Sequence, residues 1–183
     1  WLPPVDRDGA WMSEGLASYY QCVLRSRVKM YEEKVGWTEL LEGFARGQRQ
    51  AGSLPLKDAR RPSFQHIYWG GAAIALKLDV LLRTHGSSLD RAVTALRRSM
   101  DDSEDRPAGE MVAMLLAKAK TTRSLADVGP NGVAALVGSW LERPFPDTSS
   151  ELAALGITMR SDGVTLDDNA PLAGIRKAIA GAR

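Results

Sequence analysis

Apolar residues recur every three or four positions along most of the chain. This spacing places them on one face of an α-helix, so it constrains the fold more than any other feature of the sequence. Eight helices are predicted, over residues 9–31, 37–50, 64–85, 89–100, 107–120, 130–141, 149–155 and 171–180. Gly36 is expected to break the first helical run, Ser63 to cap the third helix and Gly86 to stop it, and a capping signal at 87–90 precedes the fourth helix.

The period changes near the C-terminus. Residues 157–160 and 164–166 are separated by Ser-Asp-Gly, which predicts a small β-hairpin with Asp-Gly at its turn. The fold class is therefore mainly α, a multi-helix bundle with a small C-terminal β-hairpin. We expect a helical part over 1–146 and an appendage of helix, hairpin and helix over 147–183. Residues 1–8 are predicted to be an extended lead-in, and 101–105 an acidic loop.

Composition excludes several classes of protein. The chain has 183 residues, of which 44% are apolar and 25% charged, enough to bury a sizeable core. The net charge is +2 and the basic residues are dispersed, so no nucleic-acid partner is expected. With Cys22, His66 and His85 as its only cysteine and histidines, the chain cannot build a disulfide framework or a zinc site from Cys and His alone. No apolar run approaches the roughly 20 residues that span a bilayer.

Glu14 lies inside an apolar and aromatic segment, Trp-Met-Ser-Glu-Gly-Leu-Ala-Ser-Tyr-Tyr. A buried carboxylate requires a hydrogen-bond network, a basic residue or a metal as its partner. On the predicted helix Glu14 shares a polar face with Ser18, Gln21 and Arg25. Pairing with Arg25 or Lys29 is therefore one explanation of Glu14, and metal binding is the other.

A second segment of interest is His-Ile-Tyr-Trp-Gly-Gly-Ala-Ala, which begins at His66 and contains Tyr68. Glycine inside a helix costs roughly 1 kcal/mol relative to alanine, so Gly70 and Gly71 indicate that another group approaches this helix closely. A substrate or the Glu14 helix would both account for them.

The two segments together resemble the gluzincin zinc metallopeptidases, and the glycyl-aminopeptidase-like (M61) group more than the M1 aminopeptidases. The resemblance is carried by Trp-x-x-Glu-Gly with Tyr-Tyr after it, and by Tyr-x-x-Gly-Ala; it covers residues 9 to about 100. It implies the helical part of a catalytic domain, with Glu14 as the third zinc ligand and Tyr68 as the tyrosine that stabilises the transition state. It also implies zinc as cofactor and a peptide as substrate, cleaved at its amino end. Five further residues are candidates to line the substrate cleft that the resemblance implies: Trp11, Gly15, Tyr19, Gly70 and Gly71.

In that family both histidine ligands and the general base lie in His-Glu-x-x-His, which this chain does not contain. Since the chain also begins at Trp1 without an initiating methionine, we expect it to be the C-terminal part of the catalytic domain of a longer protein. The upstream part of that longer protein, which is missing from this chain, would be the chain's partner. The 183 residues alone are expected to bind no zinc and to show no peptidase activity. The Glu14 helix would then be partly uncovered, at a face where copies of the chain could self-associate.

The remaining candidates are weaker. His66 is expected to be a surface histidine or one beside the site, because nothing nearby supplies a second ligand, and His85 suits the end of a helix. The Arg60–Arg61 pair is predicted to be solvated. The alternative function, from another class, is a non-catalytic helical interaction module or a pseudoenzyme domain.

Overall fold

The computed structural model describes residues 9–99, 106–121, 125 and 132–181. The predicted lead-in over 1–8 and the predicted acidic loop over 101–105 lie outside this range. The described residues form eight α-helices and one two-stranded antiparallel hairpin, which confirms the mainly α prediction. The helices are α1 Ala10–Arg27, α2 Glu33–Ala51, α3 Phe64–Thr84, α4 Leu89–Ser99, α5 Ala108–Lys118, α6 Gly132–Leu141, α7 Ser149–Leu155 and α8 Ala173–Ala180.

Strand β1, Ile157–Arg160, pairs with β2, Gly163–Leu166. Ile157 lies opposite Leu166 and Arg160 opposite Gly163, so the turn consists of Ser161 and Asp162 alone. Gly163 was expected within the turn. It instead begins β2 at φ +117°, a left-handed value that favours glycine at the end of a tight hairpin.

Helix α3 is the centre of the bundle. Fifteen of its 21 residues are buried, and α1, α2 and α4 pack around it. Its sequence from Ala72 to Leu82 is apolar on almost every face, which is typical of a helix enclosed by others. The C-terminal end of α3 is closed by a Schellman motif, in which Ser87 N–H donates to the Leu82 carbonyl and Gly86 has φ +80°. The predicted stop at Gly86 is confirmed.

Two other local predictions are wrong. Gly36 does not break a helix but lies within α2, where an added Cβ would come 3.2 Å from the Cys22 carbonyl oxygen of α1. Gly36 thus permits close packing of α1 and α2, and the chain turns earlier, where Lys29 adopts φ +58°. Ser63 precedes α3, but its side chain makes no capping hydrogen bond. The capping signal before α4 holds, since Ser88 Oγ accepts from the Arg91 N–H at 3.2 Å.

The segment after Pro146 is attached to the helical body by buried cations. The Arg176 guanidinium is 1% exposed and donates to Glu33 Oε1 of α2 at 2.9 Å. Lys77 of α3 donates to Glu151 Oε1 of α7 at 2.7 Å. Buried charges that are paired in this way hold α7, α8 and the hairpin in a defined position against α2 and α3.

Among the described residues, no helix has both the length and the apolarity that crossing a membrane would require.

Candidate functional site

Glu14 and Tyr68 line the same surface cleft, which has a volume of about 660 Å³. Its polar side chains are Glu14, Arg60, Arg61 and Tyr68, and its apolar ones are Ala10, Ala59, Phe64 and Ile67. Helix geometry explains two of the walls. Ala10 and Glu14 are four residues apart on α1, and Phe64, Ile67 and Tyr68 are spaced three and four apart on the first turns of α3, so each set shares one face.

The distance between these two walls is set by a contact of glycines. A Cβ on Gly15 would lie 2.8 Å from the Ala72 nitrogen, and one on Gly71 would lie 2.8 Å from the Gly15 Cα and overlap the Trp11 carbonyl. No side chain fits between α1 and α3 at this crossing, so their backbones touch. The Glu14 helix is therefore the group that approaches Gly71.

Glu14 is half-buried, and among the described residues no side chain donates a hydrogen bond to its carboxylate. Arg25, one of the partners considered for it, lies 3.7 Å from Glu39 of α2 instead. Ser18 Oγ donates to the Glu14 carbonyl at 2.8 Å, which leaves the carboxylate itself uninvolved. Within the described part of the chain, the Glu14 carboxylate thus lies at the cleft without a partner.

Tyr68 is half-buried, with its ring centroid 6.2 Å from that of Phe64. Within the described part of the chain its hydroxyl has no hydrogen-bond partner. A tyrosine hydroxyl that lies at a cleft without a partner can donate a hydrogen bond to a bound ligand, because no internal hydrogen bond has to break first.

The structure adds Arg60 and Arg61 to the cleft. Both were predicted to be solvated, and both are exposed, yet both line the cleft beside Glu14. Their position follows from the loop that carries them directly into the first turn of α3. The signal available in the sequence was their place immediately before the Tyr68 helix.

The five residues that were candidates to line the cleft are buried in α1 and α3. Trp11 is 6% exposed, and Tyr19 is fully buried. Gly15 and Gly71 form the helix crossing, and a Cβ on Gly70 would lie 2.8 Å from Leu56 Cδ1. None of the five is among the described residues that line the cleft.

The fully buried carboxylate of this region is Asp79. It accepts hydrogen bonds from the Tyr19 hydroxyl at 2.8 Å, from Arg83 Nε at 2.9 Å and from the Leu89 N–H at 2.9 Å. Burial and the Asp79 charge raise the pKa of Tyr19 well above its usual value, so Tyr19 remains a neutral donor. The network ties α1, α3 and the start of α4 together. It was not predicted, although an aspartate within Leu-Lys-Leu-Asp-Val, four residues before an arginine, is a recognisable signal.

His66 is fully buried, so of the two expectations for it, a surface histidine or one beside the site, the first is wrong. Its Nε2 lies 2.6 Å from the Pro144 carbonyl oxygen, which can only accept, so Nε2 carries the proton. Burial lowers the pKa of His66 below its usual value, and its Nδ1 is buried without a partner in the described structure. His66 joins α3 to the loop after α6 and lines no part of the cleft.

Metal binding by the described residues alone is not supported, because they contain no group of three His, Cys, Asp or Glu side chains suited to a metal ion. Glu14 fits the requirement for a single carboxylate ligand, because it lies at the cleft surface and has no partner for its carboxylate among the residues that the structure describes. A catalytic zinc site has three protein ligands, so two would have to come from another segment.

Comparisons with models of protein families, with curated protein sequences and with solved structures found no match to this chain.

Proposed function

We propose that this chain is the helical part of the catalytic domain of a zinc metallopeptidase of the gluzincin type, acting at the amino end of peptides. Glu14 would be the third zinc ligand and Tyr68 the hydroxyl that stabilises the transition state. The observation that carries the proposal is that Glu14 and Tyr68, chosen from sequence motifs alone, line one cleft. Among the described residues, neither the Glu14 carboxylate nor the Tyr68 hydroxyl has a hydrogen-bond partner that would give it a purely structural role.

The chain's own residues would contribute binding and charge stabilisation. Glu14 would hold the metal through a carboxylate oxygen. Zinc bound there would supply Lewis-acid chemistry and lower the pKa of a bound water to about 7. The Tyr68 hydroxyl would donate to the substrate carbonyl oxygen as that oxygen gains negative charge. Loss of one such donor typically costs on the order of 3 kcal/mol of transition-state stabilisation.

The test uses the protein expressed from the complete reading frame, which must supply His-Glu-x-x-His for the proposal to hold. Glu14→Gln and Tyr68→Phe are each expected to lower the rate of peptide hydrolysis by roughly 100-fold or more. Glu42→Gln is the matched control for Glu14, since Glu42 is exposed on α2 away from the cleft. Tyr31→Phe controls for the loss of a tyrosine hydroxyl, because Tyr31 binds Glu39 outside the cleft. Near wild-type hydrolysis in both cleft variants would refute the assignment.

The second candidate function is a non-catalytic helical interaction module. It is favoured by apolar side chains exposed near the end of α1, where Val28 is 67% and Met30 71% exposed. Adjacent exposed apolar groups are typical of contact surfaces between proteins. Self-association that Val28→Ser and Met30→Ser abolish in sedimentation experiments would support this function, and a monomer at all concentrations would count against it.

A further inference from the structure

A second surface groove, the α4–α5 groove, lies between one side of α4 and the end of α5 and has a volume of about 470 Å³. Four of the described residues that line it are basic: Arg91, Arg98, Lys118 and Lys120. The groove and the cleft of Glu14 and Tyr68 have no described lining residue in common.

One wall of the α4–α5 groove is a face of α4. Arg91 and Arg98 are seven residues apart, which is about two helical turns, so both lie on this face. The rise of the helix separates their Cα atoms by roughly 10.5 Å along its axis. Two cations at this separation suit an extended ligand with several anionic groups better than one small anion.

The other wall, formed by the end of α5, is attached to the start of α4. Ser87 Oγ, just before α4, donates a hydrogen bond to the carbonyl of Ala119, which lies between Lys118 and Lys120. Ala119 is itself fully buried. This contact fixes the two walls relative to each other before a ligand binds, and a preformed site loses less conformational entropy on binding than a flexible one.

The positive charge of the α4–α5 groove is not compensated within the described part of the chain. Its four basic residues are exposed, and none of them forms an ion pair with a described residue. The carboxylate among the described lining residues is Asp90. Asp90 Oδ1 already accepts from Arg27 at 3.0 Å and Oδ2 from Arg83 at 3.1 Å. A cleft lined by one sign of charge attracts ligands of the opposite sign.

We propose that the α4–α5 groove binds an extended acidic peptide segment of a partner protein. Guanidinium groups match carboxylates geometrically because they can donate two parallel hydrogen bonds. The short side chains of Thr94 and Ala95, between Arg91 and Arg98, allow a peptide backbone to come close to α4. Nucleic acid fits less well, since the described lining residues include no aromatic side chain on which a base could stack. The inference depends neither on zinc nor on peptide hydrolysis.

The binding experiment is an NMR titration of the 183-residue chain at low salt with three probes. The first is a peptide of six glutamates with acetylated and amidated ends, which self-repulsion keeps extended. The second is the same peptide made of glutamines, and the third is a single-stranded oligonucleotide of six thymidines. We expect the glutamate peptide to bind about tenfold more tightly than the glutamine peptide, and more tightly than the oligonucleotide.

Chemical-shift changes caused by the glutamate peptide should centre on residues 90–98 and 118–120. Equal binding of the two peptides, or shift changes centred elsewhere, would overturn the inference. Tighter binding of the oligonucleotide would overturn the choice of a peptide as the ligand.

The double variant Arg98→Gln with Lys118→Gln removes one cation from each wall and should lose most of the preference for glutamate. Its matched control is Lys34→Gln with Arg49→Gln, which removes the same charge from exposed positions of α2 outside the groove. The control should keep the preference. Equal losses in both double variants would show that net charge, not the groove, attracts the peptide. All four positions are exposed, so the variants are expected to fold, which circular dichroism checks.

The chain itself contains an acidic segment, Asp-Asp-Ser-Glu-Asp over residues 101–105, which is the competing ligand. One variant replaces its four carboxylates by amides. The charge-matched control does the same to four exposed carboxylates elsewhere, at Glu32, Glu42, Asp58 and Asp162. Equal affinity of these two variants for the glutamate peptide would support a segment of a partner protein. Tighter binding by the 101–105 variant alone would mean that the chain's own segment competes for the groove, and would overturn the assignment to a partner.

Discussion

Gly71 of α3 lies against the backbone of α1 so closely that a Cβ on it would come 2.8 Å from the Cα of Gly15. Gly71→Ala should therefore force the two helices apart and lower the free energy of unfolding by about 1–3 kcal/mol. Gly109→Ala is the matched control, because Gly109 lies in α5 with no atom near its Cβ position. There the higher helix propensity of alanine should stabilise the protein by up to about 1 kcal/mol. Urea unfolding of both variants measures the difference, and shifts of the same sign would contradict the crossing.

The glycine pair shows what the sequence could and could not predict. Two glycines inside a helix indicate that something comes close, but they do not say what. The close group proved to be another helix, because the residue on the opposite side, Gly15, also lacks a side chain. Recognising that Gly15 and Gly71 face each other requires the relative position of α1 and α3, which depends on the packing of the whole bundle.

Asp79→Asn is expected to destabilise the protein by about 3 kcal/mol, since Arg83 would lose a buried anionic partner. The control is Asp58→Asn, an exposed aspartate in the loop before α3, which should change stability by less than about 0.5 kcal/mol. Chemical denaturation monitored by tryptophan fluorescence provides the comparison. Equal midpoints for the two variants would mean that the network around Asp79 contributes little.

Of Glu14 and Asp79, only Asp79 is a fully buried carboxylate. A buried carboxylate must have a partner, and the sequence points to Glu14, which is half-buried at a cleft. The same requirement describes Asp79 better, since it is fully buried and accepts three hydrogen bonds. Helical periodicity alone could not make the distinction, because burial on the enclosed helix α3 does not follow one face.

His66 is expected to make the free energy of unfolding decrease as the pH falls. Its pKa in the folded protein is lowered by burial, so between that pKa and about 6.5 the unfolded chain binds more protons. The stability that neutral His66 contributes is present above pH 6.5 and is lost as the pH falls, by at most about 1.4 kcal/mol per pH unit. His66→Gln should flatten this part of the profile between pH 7 and 5. An unchanged slope in His66→Gln would show that other groups cause it.

Arg176→Gln should loosen the C-terminal segment from the body. The buried guanidinium bridges Glu33 of α2, the Asp167 carbonyl and the Leu155 carbonyl, and the shorter neutral side chain cannot reach all three. Hydrogen exchange of amides in β1 and α8 is expected to accelerate by at least tenfold, roughly 1.4 kcal/mol of lost protection. The control is Arg160→Gln on the exposed side of β1. If both variants exchange alike, the buried ion pair is not what anchors the segment.

The order and approximate bounds of the helices followed from apolar spacing, and the hairpin from its turn residues. The errors arose where packing decides local structure. Gly36 lies inside α2 because a residue without a side chain lets α1 pack closely against this helix. His66 is buried because the loop at Pro144 covers it. The prediction that Arg60 and Arg61 are solvated is confirmed, but their place at the cleft was not predicted, because a sequence does not show that a loop borders a cleft.

The zinc content of the full-length protein tests the central claim most directly. Purified wild type and Glu42→Gln are expected to retain about one zinc per chain after gel filtration, and Glu14→Gln to retain far less, because removing a ligand weakens the site. Elemental analysis at known protein concentration gives the ratio. Stoichiometric zinc in Glu14→Gln, or none in the wild type, would contradict the assignment of Glu14 as a metal ligand.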